Sequence, residues 1–354
     1  MSVSKIIEKW YHENKRDLPW RKTESPYHIW LSEIILQQTR VVQGLDYYRR
    51  FIEKYPAVVD LANAPIDEVL KMWQGLGYYT RARNLHATAQ KIVNDYKGSF
   101  PRKYEELLKL KGIGAYTAAA IASIAFKEPV ALVDGNVYRV LSRLYGIHTP
   151  IDTPAGKRVF NNKAAEIFNP ANPDVHNQAM MEFGALVCLP KNPGCVNCVL
   201  AQVCKAYCEG KTSLLPVKEG KIKARIRYFN YLFIQYNGFT YLNKRNGNDI
   251  WNSLYEFPLI ESTAPLNFEK LVSLPVWNTL FGDRHLMTVV LPKTYRHQLT
   301  HQTLQCSFYA IKIDVASGSP DFSYRQILLK SLPEYPVPRV IDKYLTDLKR
   351  EGLL

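Results

Sequence analysis

Two carboxylates lie in segments where an ionised side chain is poorly solvated. Glu33 sits in WLSEIILQQTR, with Ile29 and Trp30 one helical turn before it and Leu36 and Gln37 one turn after. Desolvation in such company raises a carboxyl pKa, leaving a group fit to donate a proton and later take it back. A partly exposed glutamate snorkelling at a helix edge is the structural alternative. Asp134, in VDGNVYRV, follows Ala131-Leu132-Val133 and precedes Gly135-Asn136. It suits a helix N-cap, a role compatible with a catalytic one.

A second concentration of chemistry is the run Cys188, Cys195, Cys198 and Cys204, spaced Cys-x6-Cys-x2-Cys-x5-Cys. Disulfides are rare in a chain without an export signal. Structural zinc usually takes two close Cys-x2-Cys knuckles, and only one tight pair is present. One tight pair plus two flanking ligands favours a 4Fe–4S cluster. Four-cysteine ligation leaves no open iron site, so the cluster is expected to be structural, pinning a loop that presents Lys191, Lys205 and Lys211 to phosphates. Cys208 and Cys306 fall outside the spacing.

These groups must be held by folded elements. Apolar spacing of three and four predicts helices over Tyr27–Arg40, Leu45–Tyr55, Ile66–Trp73, Arg81–Tyr96, Tyr104–Leu110, Ala115–Phe126 and Val137–Leu144. Between the fifth and sixth, Gly112-Ile113-Gly114 removes side-chain bulk where a helix begins, so exposed amides and the positive helix end can grip a phosphate. A turn that merely joins two helices is the alternative. Around Leu214–Arg227 the helical period is lost and a linker is expected. Beyond it, Tyr228–Tyr236, the turn Asn237-Gly238 and Phe239–Arg245 read as a β-hairpin with a type I′ turn. A closing helix over Val340–Lys349 makes the second domain α+β.

The chain has 354 residues and a net charge of +14, of which residues 1–224 carry +10 and 225–354 carry +4. Its length predicts two domains, and its charge favours a polyanion such as nucleic acid as partner. A hydrophobic share of 47% with 22% charged residues argues against disorder. No run approaches a membrane span, and Lys5, Glu8 and Lys9 interrupt what would be a secretory signal. No membrane partner is expected, and the cytosol is the expected compartment.

Taken together, LPWR at Leu18–Arg21, SEIILQQTRV at Ser32–Val41, GLGYYTRARNL at Gly75–Leu85, GIGAYTAAAI at Gly112–Ile121, VDGNVYRVLSRL at Val133–Leu144 and MEFGALVC before the cysteine run resemble the MutY-type adenine DNA glycosylases of the helix-hairpin-helix superfamily. The resemblance covers nearly the whole chain. It implies a multidomain protein: an all-α helix-hairpin-helix glycosylase region over residues 1–212 with the 4Fe–4S loop at 188–204, a linker over 213–227, and an α+β Nudix-like lesion-recognition domain over 228–354.

The same resemblance implies a bacterial, cytoplasmic and nucleoid-associated monomer that excises adenine from A·8-oxoguanine or A·G mispairs in double-stranded DNA, and it leaves open a sliding clamp as protein partner. Glu33 would be the general acid, and an ionised Asp134 of low pKa would stabilise the oxocarbenium ion, with Tyr116 and Asn136 positioning Asp134 and the sugar. A tyrosine at position 116 replaces the lysine of lyase-active relatives, so hydrolysis without strand cleavage is expected. Trp20, Arg21 and Glu182 would line the adenine pocket. Gln38 and Tyr78 would push into the duplex, Thr39 and Leu76 border the opposite base, and Gly112 and Gly114 hold the backbone. Thr300 and His301 match the family's Phe-Ser-His lesion loop, with Leu299 in place of the aromatic ring. No REx2E-type box is present, so no pyrophosphatase is expected. A glycosylase–lyase acting on oxidised pyrimidines and a non-catalytic iron–sulfur DNA binder or redox sensor are the competing readings.

Overall fold

A computed structural model describes residues 2–220, 225–318, 320 and 323–354, with 288–291 given by backbone alone. Residues 221–224 of the expected linker lie outside the described residues. The chain divides into two compact units: Met1–Asn63 with Asn84–Gly220, and Ala64–Arg83 with Lys221–Leu354. Contact therefore assigns residues 64–83 to the second unit, whereas sequence texture groups them with the first. The polar face of their helix, Ile66–Met72, explains the assignment. Asp67 pairs with Lys244 at 2.6 Å and accepts from the Tyr255 hydroxyl at 2.9 Å, while the Gln74 amide donates to Asp342 at 2.8 Å.

The first unit is helical. Its centre is the pair Pro26–Leu36 and Ala115–Phe126, both apolar nearly all round, as helices buried on every side must be. Ala118, Ala119, Ala120 and Ala122 keep the second of these slim, and the two helices pack together. The helix expected over Tyr27–Arg40 stops at Leu36, since Gln38 turns left-handed at φ 58° and the chain restarts as a helix at Val41–Lys54. Five described helices of this unit escaped the periodicity reading: Val3–Asn14, Val58–Asn63, the four-residue Lys205–Cys208, Pro154–Ile167 and Pro173–Leu186. The last two begin on proline, a start signal that apolar spacing does not register.

The second unit is built on a mixed seven-stranded sheet, with strands β1 (Arg225–Tyr236), β2 (Phe239–Lys244), β3 (Tyr255–Glu256), β4 (Leu259–Ser262), β5 (Leu286–Gln298), β6 (Gln302–Ile313) and β7 (Arg325–Leu328). The order is β3-β2-β1-β6-β5, with β4 on β1 and β7 on β2. The expected hairpin is present: Asn237 and Gly238 have φ 45° and 79°, both positive as a type I′ turn requires. Alternation along β1 divides the core. Phe229, Tyr231 and Phe233 pack toward the C-terminal helix Arg339–Arg350, whereas Leu232 and Ile234 pack with Leu271, Trp277 and Phe281. Among the described residues no helix is long and apolar enough to cross a membrane.

Candidate active site

The helical unit contains an open hollow of about 550 Å³, with room for a nucleoside, and both expected acids line it. Glu33 enters from the Pro26–Leu36 helix and is 7% exposed. Its flanking residues, from Ile29 to Ile35, are all buried, which discards the snorkelling alternative. Burial pushes its carboxyl up to about 7, with Asp134 adding to the rise, while the Tyr116 hydroxyl and Arg21 pull it partly back. Glu33 is thus substantially protonated at neutral pH. Tyr116 donates its hydroxyl to Glu33 Oε2 and also lies 3.6 Å from Met181 Sδ. Burial raises the phenol well above 10, so it remains a neutral donor.

Asp134 stands opposite in sequence but on the same hollow, as the N-cap of Gly135–Tyr145. Oδ1 accepts from the backbone amides of Asn136 (2.9 Å) and Val137 (2.8 Å), and Oδ2 from the Asn136 side chain (2.8 Å). The segment leading to it is fixed by Asn177, which accepts from Leu132 N at 3.0 Å and donates to Val130 O at 2.8 Å. Gly184 adds a steric condition, because a Cβ there would stand 2.6 Å from Asn136 Cβ. Two expectations need correction. Tyr116 bonds Glu33, not Asp134, because its helix presents the phenol to the Glu33 helix; Asn136 alone of the pair holds Asp134. Nor is Asp134 low: burial raises it, and the bonds from Val137 and Asn136 only moderate the rise.

Trp20, Arg21 and Glu182 also line this hollow. Trp20 is buried edge-on against Tyr48 at 5.2 Å. Glu182 is committed to two arginines: Arg21 reaches it at 2.8 and 2.7 Å, and Arg16 at 2.9 and 2.5 Å with a further 2.9 Å bond from its backbone amide. Burial would raise the Glu182 carboxyl, but these bonds outweigh it and hold it at about 2. Sequence reasoning missed Arg16, Gln178 and Met181, which line the hollow, and Arg139, which ties Asn136 Oδ1 (2.8 Å) to Gly184 O (2.7 Å) and Cys188 O (2.5 Å). The signal was available for two of them, Gln178 and Met181. Gln178, Met181 and Glu182 recur at three- and four-residue spacing on Pro173–Leu186, the helix that periodicity overlooked.

Cys188, Cys195, Cys198 and Cys204 line one small apolar hollow with Val140, Leu144 and Phe183. All four are free thiols, so the disulfide alternative has no support. Arg143 braces the loop, donating to Leu189 O at 2.6 Å, Pro190 O at 3.2 Å and Cys188 Sγ at 3.4 Å. No group of three or more His, Cys, Asp or Glu among the described residues closes tightly enough to hold a single metal ion.

The remaining expected contacts fall into two sets. In the first unit Gln38 is exposed, Thr39 lies on the rim of the Glu33 hollow, and Gly112 and Gly114 precede the Ala115–Phe126 helix. Gly112 is required twice, by φ 78° and by Asn84, whose Cβ would lie 2.7 Å from an added one; Gly114 faces open space. In the second unit Leu76, Tyr78, Thr300 and His301 line a common cavity, where the Tyr78 and Thr300 hydroxyls are 3.0 Å apart.

Residues 31–169 match the model of the HhH-GPD superfamily of base excision DNA repair proteins, and residues 230–347 match a NUDIX domain. An adenine DNA glycosylase of Buchnera aphidicola from Baizongia pistaciae is 35% identical over 84% of this chain and 82% of that protein. Another, from the Buchnera of Acyrthosiphon pisum, is 31% identical over 98% of this chain and 97% of its own length. Among solved structures, a thermostable thymine-DNA glycosylase superposes with a TM-score of 0.54 at 30% identity, covering 58% of this chain and 95% of that one.

Proposed function

The chain belongs to the adenine DNA glycosylases, and we propose that it removes adenine mispaired with 8-oxoguanine or guanine in double-stranded DNA by monofunctional hydrolysis. The observation that carries this reading is a carboxyl with a pKa of about 7 sharing a nucleoside-sized hollow with a second, hydrogen-bonded carboxylate. An adenine inside the duplex is out of reach, so the nucleotide is first turned out of the stack into the hollow. Glu33 then delivers its proton to N7 of the base. The N9–C1′ bond breaks, its electron pair stays with adenine, and adenine leaves neutral. Asp134, ionised, faces the cationic sugar and adds to it briefly; water, giving a proton to Glu33, completes the exchange.

Other residues supply position. Tyr116 orients the Glu33 carboxyl, and Asn136 orients Asp134. Trp20 forms a wall, while Glu182 holds Arg16 and Arg21 at the rim of the hollow. No lysine stands at position 116 to form an imine, which favours hydrolysis over the glycosylase–lyase alternative. Gln38 and Tyr78 would enter the duplex, Thr39 and Leu76 border the opposite base, Gly112 and Gly114 grip a phosphate, and Thr300 and His301 read the lesion.

The four thiols fit a 4Fe–4S cluster: all four line one small hollow, and one tight Cys-x2-Cys pair with two flanking cysteines is the ligand pattern such a cluster takes. Such a cluster would supply a rigid staple, and Arg143 would hold Cys188 toward it. We assign catalysis to residues 1–212, the link to 213–227 and lesion reading to 228–354, in a monomer acting on the nucleoid of a bacterial cytoplasm. Excision measured on duplexes carrying adenine opposite 8-oxoguanine, guanine or thymine tests the reading. The first two are expected to release adenine and the third to be spared; comparable release opposite thymine overturns it.

A further inference from the structure

The cavity of the second unit is shaped by a backbone anomaly away from the expected Thr300-His301 loop. Trp251 and Ser253 are left-handed, at φ 59° and 68°, although neither is glycine. Side chains with a Cβ adopt this region rarely and at a cost, so the surrounding structure must impose it. It does so densely. Ser253 N donates to Arg245 O at 2.8 Å, Leu254 N to Trp251 O at 3.0 Å, Arg245 Nε to Ile250 O at 3.0 Å, and the Arg83 guanidinium to Asn252 O at 2.7 Å.

The half-buried Trp251 held this way lines the cavity, with its ring centroid 5.7 Å from that of His297 and edge-on to Phe229 at 6.2 Å. Arg83, Arg339 and His301 line the same cavity. The acid among its lining residues, Asp249, is tied to Arg227 at 2.8 Å and Arg245 at 2.7 Å, so it does not oppose an anionic strand. A fixed aromatic face beside cationic groups is the combination by which proteins hold unstacked bases while following a phosphate backbone.

Building on the lesion-reading role proposed for this unit, we infer that Trp251 is a DNA-binding residue whose indole stacks on the base opposite the adenine to be excised. Leu299, in the neighbouring loop, has no π face to offer, and Tyr78 has its hydroxyl engaged with Thr300. The left-handed turn gives the indole a fixed orientation before DNA arrives, which limits the ordering cost of the contact.

The test uses the full chain and duplexes containing 2′-fluoro-2′-deoxyadenosine, whose glycosidic bond resists hydrolysis, placed opposite 8-oxoguanine, guanine or an abasic analogue. Trp251→Leu keeps apolar packing but removes the aromatic face; Trp251→Phe keeps a smaller one. Trp251→Leu is expected to raise Kd about tenfold for the two duplexes with an opposite base, and Trp251→Phe to stay within about twofold of the parent. With the abasic analogue opposite, the parent and both variants should bind alike. Equal Kd values for the Leu and Phe variants on base-containing duplexes, or the same loss on the abasic duplex, would overturn the stacking role. Failure of the underlying reading has a different signature, namely a parent protein that excises adenine equally fast opposite 8-oxoguanine and guanine.

Discussion

Carboxylates in the two units are partnered differently. In the helical unit Glu33 is sealed among apolar residues and held by a neutral phenol, and its carboxyl rises to about 7. In the second unit Arg227 bonds Asp249 and Glu261, while Arg245 bonds Asp249 and Glu256 at distances of 2.7 to 2.8 Å. The exposed Asp249 accordingly falls to about 2, whereas burial still raises the buried Glu256 despite the pull of Arg245. Burial alone therefore does not mark a reactive acid. At Glu33, where no cation is directly bonded, the cost of desolvation is met by keeping the proton, whereas at Glu256 the bonded Arg245 offsets part of it. Glu182, on the same hollow as Glu33 but gripped by Arg16 and Arg21, shows the contrast within one site.

The largest expected effect comes from removing the proton that this comparison assigns to Glu33. Glu33→Gln should slow adenine release by about a thousandfold or more while duplex binding persists, since a general acid contributes about 10²–10⁴. Stability should move the other way. A carboxyl raised from 4.5 to about 7 keeps its proton in the folded state while the unfolded chain loses it, so stability falls as pH rises between those values, by about 3 kcal/mol in all. Glu33→Gln should remove that slope from the unfolding midpoint between pH 4.5 and 7. Undiminished excision, or an unchanged slope, would break the contrast between the two units.

Much of this contrast was legible before any coordinates. The company of Glu33 in WLSEIILQQTR announced its desolvation, and VDGNV announced both a cap and an acid. Asn237-Gly238 specified its turn through local chemistry alone. What escaped was nonlocal. The partners of Glu182 are Arg16 and Arg21, far away in sequence, so its low pKa has no local signature. Tyr116 was recognised, but whether it would bond Glu33 or Asp134 depends on helix packing that periodicity does not encode. The assignment of residues 64–83 to the second unit likewise rests on Asp67 and Gln74 reaching partners beyond residue 240. Conversely, the left-handed turn at Trp251 contradicts local preference, and only the bonds around it account for it.

The next effect in size probes the paired acids. Arg245→Met should leave Glu256 buried with only the Tyr231 hydroxyl (3.0 Å) among the bonds described for it, and the unit should lose about 3–5 kcal/mol. Adding Glu256→Gln removes the stranded charge and should restore much of the loss. Chemical unfolding of the single and double variants measures both. A single variant as stable as the parent would mean that these ion pairs are not what makes burial tolerable, and the comparison with Glu33 would lose one arm.

The smallest effect sharpens the other arm. The Tyr116 hydroxyl favours the ionised form of Glu33, second only to burial among the influences on that group and opposite in sign. Tyr116→Phe therefore raises the Glu33 pKa further, and the acid stays protonated to higher pH. Under single-turnover conditions with saturating protein, excision by the parent should decline as pH rises through about 7. In the variant the declining limb should move to higher pH while the low-pH plateau falls only modestly, because the proton donor itself remains. A large fall at every pH with the limb in place would instead mean that the phenol acts directly on the sugar or on Asp134, whose charge also reaches it. The position of the limb, more than the rate, thus separates a phenol that tunes the acid from one that shares its work.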